Sequence, residues 1–328
     1  FIFMGEKDST RGYQNWRYTV AHCASLTEGD ADFFKALDAN KDVSDDDKTE
    51  LIRARRELHK ICDGKLVDDI HWPINISNSS GLSFLTYLQA SAHFYSENWD
   101  QADKFFKAIN NASDPWIREV ASYMIGRNKL KKTWDLALDK WGNFKGLRFV
   151  EKEPLSEANQ AFMSYLLRYP NGQYNSSAQG LLRRLIWLSG DEEGLAREYI
   201  RQLKSDKFPS ANKVTLIKEI DQKLLPLRKP LSVISPVLLA TDDLARMRSY
   251  RTIGYTSLSK AELSEQKEHF KDHMELYTFL QATFAFYIER DAKKVLRLIP
   301  DATSQDNFSP LEFSRQALRG MALNILSD

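Results

Sequence analysis

The sequence is poor in glycine, which accounts for only 14 of its 328 residues. Tight turns and phosphate-binding loops both depend on glycine, so we expect neither a many-turned β-protein nor a nucleotide enzyme with a glycine loop. A surplus of one charge sign is also missing, because 46 lysines and arginines are balanced by 45 aspartates and glutamates. Proteins dedicated to nucleic acid carry a clear basic surplus. We therefore expect no nucleic-acid partner.

Long apolar runs are absent as well, and no stretch reaches the roughly 18 apolar residues of a membrane-spanning helix. The most apolar stretch, residues 231–240, is short and contains Pro236. We therefore expect no transmembrane segment. A start at Phe1 rather than Met indicates a processing or cloning boundary, which leaves room for a removed signal peptide or a lipidated, membrane-associated N-terminus. Continuation of the natural protein beyond Asp328 stays open.

Cysteine occurs only twice, as Cys23 and Cys62. Both lie in segments with helical periodicity, Tyr13 to Leu26 and Asp46 to Cys62. Exported proteins that keep two cysteines often pair them, so we predict a disulfide between Cys23 and Cys62. The alternative is a pair of buried free thiols in a cytosolic protein. Neither cysteine belongs to a Cys-x-x-Cys pair, and we expect no zinc site.

Helical periodicity dominates what is present. In the segment 51–62 the apolar residues fall on one face of a helix and the arginines fall elsewhere. No run alternates apolar and polar residues as a half-buried strand does, and the dipeptide Asn171-Gly172 follows Pro170 as in a turn between helices. The pattern predicts an all-α protein.

A ten-residue segment occurs twice, at Thr86 to Tyr95 and at Thr278 to Tyr287, with six of ten positions identical. Each copy is followed by a short polar break, at 96–100 and 289–291, and then by a second helical pattern. After a gap of two residues, the apolar positions Ala102, Phe106 and Ile109 fall on Ala292, Leu296 and Ile299. A helical hairpin therefore occurs at least twice. A third region, 158–209, repeats the same spacing of small, aromatic and proline residues.

The segment from Ala90 to Phe106 resembles the tetratricopeptide repeat (TPR), with its small residue, aromatic residue, polar corner and alanine. The departures are Glu97 where the family has a corner glycine and Ile109 where it has an alanine. The resemblance implies a right-handed α-α superhelix, since one hairpin alone cannot bury its apolar face. In a TPR the groove-facing positions of the first helix would be Tyr87, Ser91, Phe94 and Tyr95, which are the candidate partner-binding residues.

The domain organisation follows from these patterns. We predict an N-terminal helical cap (1–80), TPR-like hairpins (81–224), an irregular proline-rich connector (225–255) and a further hairpin (256–328). Three of the ten prolines lie within the connector, where Thr241-Asp-Asp-Leu also has the form of a helix start.

Three motifs are compatible with chemistry but have simpler explanations. The segment from Asp38 to Asp42 begins like a calcium loop, but Val43 occupies the position that requires glycine; Ser44 is better explained as the N-cap of a helix beginning near Asp45. The pair His269 and His273 shares a helix face but lacks the glutamate of a zinc protease.

Ser257-x-x-Lys260 matches the motif of serine acyl-enzymes, whose partner motifs are missing. Ser259 or Ser257 more simply caps a helix from Ala261 to Leu280. We predict no catalytic residue, no metal site and no cofactor.

The hypothesis favoured by the repeats is a non-catalytic interaction scaffold that binds a partner protein segment on the concave face of the solenoid. The segment 169–174 is similar to TPR lipoproteins and periplasmic TPR proteins of the Gram-negative envelope, which implies a periplasmic or envelope location; a cytoplasmic adaptor is the alternative. Two further functions stay open. One is the helical scaffold of a larger envelope enzyme resembling lytic transglycosylases, and the other is a TPR-based ligand-binding lipoprotein.

Overall fold

The computed structural model describes residues 25–203, 210–224, 234–248, 257–302 and 309–327. The described part is helical and contains no β-strand, with a single isolated bridge between Leu138 and Phe144. The predicted all-α class is therefore confirmed. The chain divides into two compact units, 1–191 and 192–328.

The first unit contains seven helices among its described residues. They are α1 (Asp30–Ala39), α2 (Asp45–Leu58), α3 (Ser79–Tyr95), α4 (Trp99–Ile109), α5 (Pro115–Leu136), α6 (Lys152–Arg168) and α7 (Asn175–Leu188), with short 3-10 turns at His59–Ile61, Val67–Asp69 and Leu147–Phe149. Each helix packs against the next one or the next but one.

Side-chain caps fix where several of these helices begin. Ser44 accepts a hydrogen bond from the backbone N–H of Asp47, which confirms the predicted cap of α2. Asp114 caps α5 in the same way, and Pro115 occupies its first turn, where the missing N–H costs nothing.

One continuous core runs through the first unit from Leu26 to Leu188. Small residues allow the helices to approach closely, since Ala90 of α3 and Ala102 of α4 are both fully buried. A Cβ on Gly126 of α5 would lie 2.9 Å from the ring of Phe162 on α6. Residues 25–80, which belong to the predicted N-terminal cap (1–80), share this core with the hairpins that follow.

The second unit also contains seven helices among its described residues. They are α8 (Glu192–Leu203), α9 (Ser210–Lys223), α10 (Pro236–Arg248), α11 (Lys260–Glu265), α12 (Met274–Phe284), α13 (Ala292–Leu298) and α14 (Pro310–Ser327), with a 3-10 helix at Gln266–Phe270 and a π-helical turn at Ala285–Glu289. Buried residues form two apolar clusters around α12.

Two expectations for this unit need correction. A regular helix, α10, occupies the middle of the stretch expected as an irregular connector and packs against α12. It begins at Pro236, which is suited to a first helical turn, rather than at Thr241. The helix expected from Ala261 to Leu280 is interrupted: Ser259 does cap α11, in a capping box with Glu262, but α11 ends at Glu265.

Both predicted hairpins are present, as the pairs α3/α4 and α12/α13. Their corners match, because the polar break of each contains a residue in the left-handed region, Glu97 and Arg290, each with a φ of 58°. The equivalence of the first helices extends to the hydroxyls of Ser91 and Thr283. Each donates a hydrogen bond of 2.8 Å to the carbonyl four residues earlier.

The alignment of the second helices was wrong by three residues. The buried positions of α4 begin with Trp99, Ala102 and Phe106, and those at the end of the second hairpin are Ala292, Val295 and Ile299. The two sets have identical spacing. Ala102 therefore corresponds to Val295 rather than to Ala292, and Phe106 corresponds to Ile299 rather than to Leu296.

The π-helical turn explains the different register. In the first hairpin the N–H of Asn98 donates to the carbonyl of His93, five residues back, at 2.8 Å. In the second, the N–H of Asp291 donates to the carbonyl of Ala285, six residues back, at 2.9 Å. Because a π-helical turn holds more residues than an α-helical turn, the second hairpin fits one extra residue before its corner.

The predicted disulfide cannot be placed in the same way. Cys62 lies half-buried after the 3-10 turn that follows α2 and packs against the core of the first unit. Cys23 lies outside the described residues, so the pairing of Cys23 with Cys62 stays a prediction.

Candidate functional site

Three of the four predicted partner-binding residues line one pocket of the first unit. Tyr87, Ser91 and Tyr95 follow one another at intervals of four on α3, which puts them on one face of that helix. Phe94 does not line the pocket. It is fully buried and packs edge-on against Tyr95 and Trp99, with ring centroids 5.1 and 5.7 Å apart.

The opposite wall of the pocket comes from α5 and the rest from the N-terminal helices and the start of α7. The space between the atoms is about 410 Å³, part of it open to solvent. The remaining lining residues are Ser25, Gly29, Asp32, Arg55, Trp116, Val120, Tyr123, Met124, Arg127 and Tyr174.

The aromatic walls are tightly packed. The ring of Tyr87 stacks on Phe33 with centroids 6.0 Å apart and meets Trp116 edge-on at 5.1 Å. Tyr87 is only 6% exposed and Tyr95 only 8%. These two residues therefore cannot be anchors standing out from a surface, as the sequence suggested. They are available only to a group that enters the pocket.

A hydrogen-bond network places Tyr174 beside the pocket. The hydroxyl of Tyr165 donates to Oε1 of Glu119 at 2.9 Å and accepts from the N–H of Tyr174 at 3.0 Å, and the N–H of Gln173 donates to the same glutamate oxygen at 2.6 Å. A Cβ on Gly172 would lie 2.5 Å from that oxygen and 2.7 Å from the Tyr165 hydroxyl. Glycine is thus required there by close approach.

Arg127 projects into the pocket from α5. Its guanidinium lies over the rings of Phe94 and Tyr123, 5.2 and 5.8 Å from their centroids, and its Nη2 donates to Oγ of Ser25 at 3.2 Å. In the part of the chain that the structure describes, no carboxylate lies within ion-pair distance of it. The aromatic contacts orient the cation without neutralising it.

Arg55, on α2, is 1% exposed and is held by an ion pair. Its Nε donates to Oδ1 of Asp30 at 2.7 Å, and its Nη2 donates to the carbonyl of Leu26 at 2.7 Å. The third nitrogen, Nη1, is buried and has no hydrogen-bond partner among the residues described. Buried hydrogen-bond donors normally have an acceptor. Arg55 therefore differs from an arginine whose donors are all used in a structural ion pair.

Among the described residues that line the pocket, the charged ones are Arg55, Arg127 and Asp32. Burial raises the pKa of Tyr95 and of Tyr174, so both hydroxyls stay protonated at neutral pH. Asp32 is half-buried. Asp30 balances Arg55, whereas Arg127 and Asp32 have no ion-pair partner among the residues that the structure describes.

Reasoning from the sequence missed both arginines. Arg127 follows Trp116, Val120 and Tyr123 at helical spacing, which puts a cation on an otherwise apolar face of α5. A cation on an apolar helix face could have indicated a binding site. Arg55 gave no such indication, because it lies within a cluster of arginines on α2 and only the tertiary packing separates it from its exposed neighbours.

The metal-like motifs do not come together. Among the described residues, no group of three or more His, Cys, Asp or Glu side chains is placed to hold a metal ion. His269 belongs to a 3-10 helix and His273 precedes α12, so they do not share a helix face as expected. No helix of the described part is long and apolar enough to cross a membrane.

No family model matches the chain, and neither the curated proteins nor the solved structures contain a match. The chemistry of the pocket therefore rests on its own residues.

Proposed function

We propose that the protein is a non-catalytic binding protein built from degenerate TPR-like hairpins, arranged as a right-handed solenoid. It captures a segment of a protein partner by accepting one group of that segment into the pocket lined by Tyr87, Ser91, Tyr95 and Arg127. The observation that carries the proposal is the pocket itself, which combines aromatic walls with a cation, Arg127, that no carboxylate of the described residues neutralises.

The pocket favours insertion of a single group over the broad surface contact expected from the resemblance. Its aromatic side chains are buried by each other, so they offer a partner no exposed anchor. An aromatic pocket with a few convergent polar groups is typical of sites that select a ligand by its orientation. The rest of the partner segment would lie on the surrounding exposed residues.

The test is a peptide array probed with the full chain and with a variant whose pocket is filled. Ser91→Leu adds three carbons to a side chain that lines the pocket, and Ser83→Leu places the same residue on α3 outside it. We expect the first variant to lose capture of the peptides that the wild type retains, and the second to keep it. Equal capture by both variants would refute the pocket as the site.

A ligand-binding protein is the second candidate, and the small size of the pocket favours it. This function predicts saturable binding of a free small molecule with no partner segment attached. A thermal shift that saturates with peptidoglycan fragments or other glycans, together with an array that retains nothing, would favour this candidate over the scaffold.

The proposed place of action is the periplasm or cell envelope, and it rests on the predicted disulfide. Alkylation of the native protein with and without reductant tests it by intact mass. Label taken up by Cys23 and Cys62 only after reduction supports export. Label taken up by the unfolded, unreduced chain favours a cytoplasmic adaptor.

A further inference from the structure

We infer that the group accepted by the pocket is a carboxylate, held by Arg127 and Arg55. The inference rests on the proposed function for its site but names the chemistry of the ligand, which the repeats and the aromatic walls do not. It follows from the hydrogen-bonding capacity that the two arginines keep and from the charge balance around them.

The hydrogen-bond donors of the two arginines indicate the kind of ligand. A guanidinium has five N–H groups in a planar fork. In Arg127 one of these binds Ser25, another contacts the sulfur of Met124 at 3.6 Å, and the Tyr95 hydroxyl also hydrogen-bonds the guanidinium. In Arg55 the Nη1 group, almost wholly buried, is without a partner among the described residues. A ligand with two acceptor oxygens in one plane satisfies such donors better than a hydroxyl or a single carbonyl does.

The charges that line the pocket favour a ligand with a single negative charge. An inserted anion is favoured because Arg127 carries a positive charge in an environment shielded from water, where electrostatic interactions are strengthened. Asp32 lines the same pocket and opposes a second negative charge. Inorganic phosphate, about half of which is dianionic near pH 7 and more of which is dianionic above it, is therefore disfavoured, and a singly charged carboxylate is favoured.

Contacts among the side chains that line the pocket fix its shape. The rings of Tyr123 and Tyr174 stack in parallel, with centroids 4.7 Å apart, and the hydroxyl of Tyr123 is engaged by Ser177 at 2.6 Å. The side chains around Arg127 are thus held by one another and by Ser25. A preorganised pocket of this kind loses little entropy when a small rigid group enters.

The experiment compares two blocked amino acids, N-acetylglutamate amide and N-acetylglutamine amide, which differ only in the charged group. Binding to the full chain is measured by ligand-observed NMR, with sodium phosphate as a third probe at matched ionic strength. We expect the glutamate compound to bind at least about tenfold more tightly than the glutamine compound, as loss of a charge-assisted pair implies. Phosphate should bind more weakly than the glutamate compound.

Three variants test the roles of the charges. Arg127→Gln should weaken binding of the glutamate compound at least about tenfold. Asp32→Asn should strengthen it about threefold to tenfold, because it removes the opposing charge. Arg127→Lys keeps the charge but loses the planar fork, so it should recover only part of the affinity. This conservative variant also keeps the test informative if Arg127→Gln is unstable.

Equal binding of the two blocked amino acids, a preference for phosphate or indifference to Arg127 would overturn the carboxylate assignment. Failure of the carboxylate assignment and failure of the proposed function give different results. If the array retains peptides in a Ser91-dependent way but without preference for acidic residues, the pocket is the site and the ligand is wrong. If the carboxylate binds while no peptide is retained, the ligand assignment stands and the scaffold function fails.

Discussion

The hairpins α3/α4 and α12/α13 share one sequence pattern but differ in what surrounds it. Ala90 and Ala282 are both fully buried where their helices approach the next, and both hairpins turn at a left-handed residue. At the position of Tyr87, however, the second hairpin has Phe279, which lies in an apolar cluster. In the first hairpin that position borders a pocket whose charges come from other helices.

The comparison separates two kinds of information. The repeated residues determine how two helices pack into a hairpin, because they supply small contacts and buried rings at fixed spacing. The pocket depends on Arg55, Arg127 and Asp32, which lie outside the repeated segment. The repeated segment thus predicts the packing of the hairpin. The pocket depends on residues of the other helices that pack against the hairpin.

The largest effect is expected where the structure corrects the alignment of the second helices. Ile299 is fully buried and corresponds to Phe106, whereas Leu296 is half-buried. We expect Ile299→Ala to lower the free energy of unfolding by about 2–5 kcal/mol, the usual cost of a buried cavity. Leu296→Ala should cost less than half of that.

Amide hydrogen exchange during urea titration measures the free energy of unfolding of both variants in peptides of the second unit. Tryptophan fluorescence serves as the control, since all seven tryptophans lie before residue 188 and report on the first unit. A larger cost for Leu296→Ala than for Ile299→Ala would restore the alignment read from the sequence.

The next largest effect is the pH dependence of stability that we expect from Asp243, a buried acid beside the second hairpin. Asp243 of α10 is fully buried, accepts one hydrogen bond from Gln266 at 3.3 Å and has Arg246 at 4.0 Å. Burial raises its pKa to about 7 from an ordinary value of 3.8. Asp242, whose pKa burial also raises, lies next to it.

Because the folded pKa is the higher one, the unfolded chain loses this proton first. The contribution of Asp243 to stability is therefore complete below about pH 4, falls as the pH rises to about 7 and is constant above that. Glu262, whose pKa a backbone hydrogen bond from Ser259 lowers to about 2, acts in the opposite sense: its contribution is complete above about pH 4 and is lost as the pH falls toward 2.

We expect Asp243→Asn to stabilise the second unit at pH 8 by at most about 4 kcal/mol and to flatten its pH dependence between pH 4 and 7. Urea unfolding at pH 5 and pH 8, followed by exchange in peptides of α10 and α12, measures both. An unchanged slope in the variant would show that Asp243 does not titrate in this range.

The smallest effect concerns the shared corner. A left-handed backbone costs a residue with a side chain about 1–2 kcal/mol, and Arg290 is exposed there with a φ of 58°. Arg290→Gly should therefore stabilise the second hairpin by up to about 1 kcal/mol, while Arg290→Ala should not. Equal effects of the two substitutions on thermal unfolding would remove strain as the explanation.

Much of the fold was predictable from local patterns, and the failures have local physical causes. The caps at Ser44 and Ser259 and the two hairpins followed from spacing and residue type. The register of α13 did not, because a π-helical turn leaves no mark in composition. The helix at Pro236–Arg248 was missed because its flanking prolines outweighed its apolar face, although proline suits a first turn.

The sequence allowed prediction of only that side of the site which α3 forms. The spacing of Tyr87, Ser91 and Tyr95 placed three lining residues on one face of α3, but it suggested exposed anchors. Their burial depends on Phe33 and Trp116, which reach them from other helices. No spacing rule along one helix could have joined Arg55 and Arg127, which are 72 positions apart in the chain.

The most direct test of the account is an amide hydrogen-exchange map of the full chain, with and without an acidic peptide retained by the array. The account predicts slower exchange in α3 and α5, which line the pocket, and no change in α12 and α13, which repeat the hairpin without those charges. Protection confined to α12 and α13 would contradict it and would move the binding site to the second unit.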